Sequence, residues 1–73
     1  MLEKIKDHFE TELRQAEADI ERPWADKGEV VWYAIQRCWG VADFALRYCD
    51  IPFEMIEPLY EEYKEKLNKL LTK

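Results

Sequence analysis

The stretch from Glu29 to Cys49, EVVWYAIQRCWGVADFALRYC, constrains this chain more than any other. Its polar positions are Glu29, Gln36, Arg37, Gly40, Asp43 and Arg47. From Gln36 the strong ones recur at spacings of four, three and four. At about 100° per residue, that is one narrow stripe along a helix. Every other position is apolar, aromatic or small, so the helix has a wide face that must be covered on several sides. The competing reading is a pair of buried strands, because Val30-Val31-Trp32-Tyr33 is rich in strand formers. The stripe period and the lack of an internal turn signal favour a helix. Gly40 is tolerated within it at a cost of about 1 kcal/mol.

The flanks read as two further helices. Leu2, Ile5, Phe9, Leu13, Ala16 and Ile20 recur at spacings of three and four, which predicts an amphipathic helix over 2–22. Glu10 and Arg14 form an i,i+4 pair on its polar side. Pro23 ends it, having no amide donor and disfavouring the helical conformation at Arg22. Asp26 and Glu29 have the spacing of a capping box, so the central helix is expected over 27–49. Asp50-Ile51-Pro52 is a very short joint in which Asp50 suits the N-cap of the next helix. Phe53, Ile56, Tyr60, Tyr63, Leu67 and Leu70 then mark a third helical stripe over 53–71. Pro58 falls inside it; a kinked continuous helix is preferred to one that begins at Pro58. Ion pairs are expected between Glu62 and Lys66 and between Glu65 and Lys69. The fold class is all-α: a small three-helix bundle forming a single domain over 1–73.

Several functions are disfavoured. The net charge of −5 divides as −3 over residues 1–22, −1 over 23–50 and −1 over 51–73. With no basic segment, neither a phosphate backbone nor an anionic membrane is an expected partner. No apolar run approaches the ~20 residues needed to cross a bilayer. The charged N-terminus, MLEKIKDHFE, lacks an apolar signal core, so a cytoplasmic location is expected. Cys38 and Cys49 lie about 16 Å apart along one helix, beyond the ~7 Å between Cα atoms that a disulfide allows. They read as two small buried thiols.

Catalytic sets are hard to assemble. His8 is the lone histidine, and no Cys-x-x-Cys or His-x-x-x-His spacing exists, so no metal and no cofactor is expected. Cys–His chemistry would need His8 to meet Cys38 or Cys49 across helices, beside an orienting third group. The carboxylate pairs Glu61 with Glu62, Glu17 with Glu21, and Asp7 with Glu10 fall on polar faces, where solvation is the plain reading. With only Gly28 and Gly40 there is no phosphate loop. The expected protein is not an enzyme and has no small-molecule substrate.

Val41 to Tyr60, VADFALRYCDIPFEMIEPLY, resembles a helix-turn-helix. Ala45 stands for the small residue of the first helix, Ile51 for the apolar residue of the turn and Ile56 for the anchor of the second helix. That resemblance covers about twenty residues and implies a nucleic-acid-binding regulator. Two positions depart from it. Asp50 replaces the usual turn glycine, and Ala45 is one place out of register with Ile51. Its recognition helix would also present Glu54, Glu57, Glu61 and Glu62 before its first lysine, Lys64. Those carboxylates repel phosphates. An opposite reading is an acidic mimic of nucleic acid, displaying Asp7, Glu10, Glu17 and Glu21 to a basic partner.

The leading expectation comes from apolar surplus. The stripes and the central helix hold roughly thirty apolar side chains, against room for about twenty in so small a bundle. Helices 1 and 3 each cover a side of the central helix, which leaves Trp32, Tyr33, Trp39, Phe44 and Tyr48 as candidates for the surface. Trp24, in the first connection, is either a lid on the core or a sixth contact residue. A contiguous patch of such rings marks an interface, and a homodimer or another protein is the expected partner.

Overall fold

The structure, a computed structural model, describes residues 2–72. Three helices, α1 (Leu2–Asp19), α2 (Lys27–Tyr48) and α3 (Phe53–Lys69), are followed by a short 3-10 turn over Leu70–Thr72. Each helix packs on the other two, giving an all-α three-helix bundle. Val30-Val31-Trp32-Tyr33 lies within α2, which excludes the strand reading. The bundle is a rod of 41 × 17 × 17 Å. Its radius of gyration, 12.6 Å, exceeds the roughly 11 Å of a compact chain this long. Elongation of this kind leaves more side chains at the surface.

Helix ends follow local chemistry, with two departures from expectation. α1 stops at Asp19, before the expected 22. Glu21 N donates to Ala18 O and Arg22 N to Asp19 O, each bond reaching back three residues. The approach of Pro23 thus tightens the last turn. Arg22 folds back onto Asp19 at 3.4 Å. α2 starts as its cap predicts: Glu29 N donates to Asp26 Oδ1 at 3.2 Å.

The second departure is Asp50. It is not the N-cap of α3; that place is taken by Pro52, which offers no side-chain cap. Asp50 instead has φ 54°, just past the C-cap Cys49. That is the left-handed residue that commonly ends a helix, a conformation aspartate tolerates better than most. α3 runs unbroken through Pro58, so the continuous helix is the observed one. The expected Glu62–Lys66 and Glu65–Lys69 pairs are present at 3.0 and 3.8 Å.

Among the described residues thirteen hydrophobic side chains are buried. α1 supplies Ile5, Phe9 and Ala16, with Ile20 just beyond it; α3 supplies Ile56, Tyr63 and Leu67, with Leu70 from the final turn. α2 contributes Val31, Ala34, Cys38, Ala42 and Ala45, mostly small. The bulk in the core therefore comes from the flanking helices, where Phe9 and Tyr63 meet at 5.7 Å between ring centroids. Small residues on the inner face of α2 let both neighbours approach closely. Phe53 leaves the expected stripe and is 46% exposed. It is the first residue of α3.

Candidate interaction surface

All six candidate residues lie at the surface, from 42% exposure at Trp39 to 78% at Trp24. Their position follows from the period of α2. Val31, Ala34, Cys38, Ala42 and Ala45 share the inner face, at spacings of three and four. Gln36, Gly40, Asp43 and Arg47 lie opposite, as their stripe predicts. The rings flank that stripe. Trp32 and Trp39 are about 20° apart around the helix, on the α3 side. Tyr33 and Phe44 are likewise about 20° apart, with Tyr48 about 40° beyond Phe44, on the α1 side. The outer face thus has a polar midline and two aromatic edges, where a single unbroken apolar patch was expected.

Ring contacts hold these edges in place. Trp39 packs edge-on against Tyr60 of α3 at 5.3 Å. Burial raises the phenol pKa of Tyr60 above its ordinary value, aided by the nearby Glu61 carboxylate. Phe44 and Tyr48 stack at 5.0 Å, and Trp32 meets the adjacent Tyr33 at 5.0 Å, joining the two edges at one end. Trp24 is not a lid: it lies in the α1–α2 connection beside Asp26, Glu29 and Val30.

Charge on the outward-facing part of α2 is balanced. Arg37 reaches Glu12 of α1 at 2.6 Å, and Arg47 reaches Asp43 one turn back at 3.1 Å. Gly40 sits between them, with nothing within 4 Å of where a Cβ would stand. A glycine there costs the single chain about 1 kcal/mol of helix stability relative to alanine and relieves no crowding. Beside it lies a hollow of about 420 Å³, lined by His8, Arg37, Gly40, Val41 and Phe44. This continues into a second hollow of about 230 Å³ between Ile5, His8, Phe44, Ala45 and Cys49. Sequence reasoning placed His8 beside the α1 stripe and gave no sign that it borders a groove. His8 Nε2 is enclosed there without a hydrogen-bond partner.

His8 and Cys49 both line the groove, from α1 and from the end of α2; Cys38 does not. Cys38 is buried in the core, and desolvation pushes its thiol up to about 12, with the Glu12 carboxylate adding to the effect. That shift is away from reactive thiolate. Across the bundle, Tyr63 Oη donates to Glu10 Oε1. Glu10 therefore serves α3, where an ion pair with Arg14 was expected. This bond holds the Glu10 carboxyl below its ordinary pKa, while burial and the same carboxylate push the Tyr63 phenol up. Among the described residues no cluster of His, Cys, Asp and Glu could hold a metal ion, and no helix is long and apolar enough to cross a membrane. Comparison with protein-family models, with curated proteins and with solved structures finds no significant match.

Proposed function

We propose that this protein is a non-catalytic interaction module that binds protein through the outer face of α2, self-association being the favoured form. One observation carries the reading: Trp32, Tyr33, Trp39, Phe44 and Tyr48 all stand at least 42% exposed on one helix. Scattered surface rings are ordinary, but five on one helix of a rod only 41 Å long are not scattered. Aromatic rings with a polar neighbour are also the side chains that dominate binding energy at protein interfaces.

The regulator reading has less support. Asp50 does adopt the left-handed turn conformation that a helix-turn-helix glycine would take. Yet Glu54, Glu57, Glu61 and Glu62 are all exposed at the start of α3, where a recognition helix would meet phosphates. Of the carboxylates it rests on, the acidic-mimic reading keeps only Asp7 and Glu17 exposed on α1, since Glu10 is held by Tyr63 and Glu21 lies past the helix end, and any acidic helix displays as much.

Sedimentation equilibrium of the purified protein tests the proposal. The expected result is reversible association within the micromolar range, weakened when Trp32 and Phe44 are both replaced by serine. A strict monomer at high micromolar concentration that binds no apolar dye contradicts it.

A further inference from the structure

We propose that the groove between α1 and α2 binds a free medium-chain alkyl carboxylate, with the carboxylate at Lys4 and the chain running towards Gly40. The site is independent of protein docking: of the candidate rings only Phe44 lines it. The groove consists of two adjoining hollows, of about 230 and 420 Å³, which share His8, Val41 and Phe44. Small-molecule sites are clefts of this order, mostly apolar, with a few polar groups that fix orientation. Here Ile5, Val41, Phe44 and Ala45 supply the apolar wall.

The polar part of the lining has one sign. In a chain of sixteen acidic and eleven basic residues, the two hollows are lined by Lys4, His8 and Arg37 and by no carboxylate. An anionic head meets no like charge on these walls, whereas an ammonium head would face cations only. The two cations are not equally available. Arg37 gives its Nε to Glu12 at 2.6 Å. Lys4 is exposed, and among the described residues no carboxylate pairs with it. The head is therefore set at Lys4, at the end of the groove that Cys49 lines.

The length of the groove sets the tail. Cys49 stands nine residues after Gly40, about 13 Å along the helix, which gives room for an extended chain of roughly ten carbons. A peptide would bring amide groups that an apolar wall leaves unpaired; an alkyl chain brings none.

Titration of the purified protein with decanoate, kept below the concentration at which it forms micelles, tests the site. Methyl NMR signals of Val41 and Ala45 should shift saturably and alkylation of Cys49 should slow, while the indole signal of Trp39, on the α3 side, stays in place. In a groove open on one side each methylene should tighten binding about twofold, so decanoate should bind about tenfold more tightly than hexanoate. Decyltrimethylammonium should bind the native chain about fivefold more weakly than decanoate, and Lys4→Glu, its helicity checked, should invert that order. The site is overturned by the absence of a saturable shift, by a Trp39 shift as large as that of Val41, by equal binding of decanoate and hexanoate, or by an order of head groups that survives Lys4→Glu. Sedimentation of the same samples fixes their oligomeric state. Failure of the titration therefore leaves association through the α2 rings standing, and a monomeric native chain leaves this site standing.

Discussion

Two titratable side chains in the core, Tyr63 and Cys38, have their behaviour set by burial. Tyr63 is fully buried, and its hydroxyl finds the one acceptor it needs in Glu10. The carboxyl of Glu10 is held below its ordinary value of 4.5, first by that hydrogen bond and then by Lys66, Arg14 and Lys6. A depressed carboxyl pKa adds stability above the unfolded value and loses it as pH falls through the folded one. Tyr63→Phe should therefore destabilise the bundle at neutral pH by about 1–3 kcal/mol, and the gap from the native chain should close in acid. Urea titrations at neutral pH and well below the carboxylate range measure that gap; an undiminished gap in acid contradicts the assignment. Cys38 makes a simpler case. With its thiol buried and pushed up to about 12, it should resist alkylation under native conditions, whereas the partly exposed Cys49 reacts. Peptide mapping after brief iodoacetamide treatment reads this directly, and equal labelling of the two would show that the core opens readily.

At the scale of the helix, the ends matter as much as the stripes. The Asp26 carboxylate satisfies an amide that the first turn of α2 leaves unpaired. Asp26→Ala should cost about 1 kcal/mol and lower the melting temperature by about 4–8 °C, with Asp26→Asn close to native. Calorimetry of the pair is the check; an unchanged Asp26→Ala would make the cap ornamental. The period-3.6 patterns of α1 and α3 are legible in the sequence because each has a polar side to contrast with. α2 has little such contrast. Its polar midline told which way was out, and the structure agrees. The inner stripe of Ala34, Cys38, Ala42 and Ala45 lies opposite that midline; what the sequence does not show is that such small residues fill the core there, because that depends on the bulk that Phe9, Ile56 and Tyr63 bring from other helices. The same dependence hid the split of the rings into two edges, one leaning on Tyr60 and one facing His8. Asp50 departs from its expected place for a different reason. Aspartate suits both an N-cap and a left-handed C-terminal position, and only the length of the joint decides between them.

For the whole molecule, the physical account is that a rod this thin cannot enclose the aromatic content of its own middle helix. The inner face of α2 is satisfied by small residues, and its large ones remain in water at both edges of the outer face. Covering them is what association would accomplish. Tryptophan emission followed through dilution measures that covering most directly, in the Trp24→Phe variant so that only Trp32 and Trp39 report. From high micromolar to nanomolar concentration the account predicts a red shift of emission and a parallel rise in acrylamide quenching, as the rings pass from a covered to an open state. Emission and quenching that stay constant across that whole range, at the values of open indoles, would contradict it.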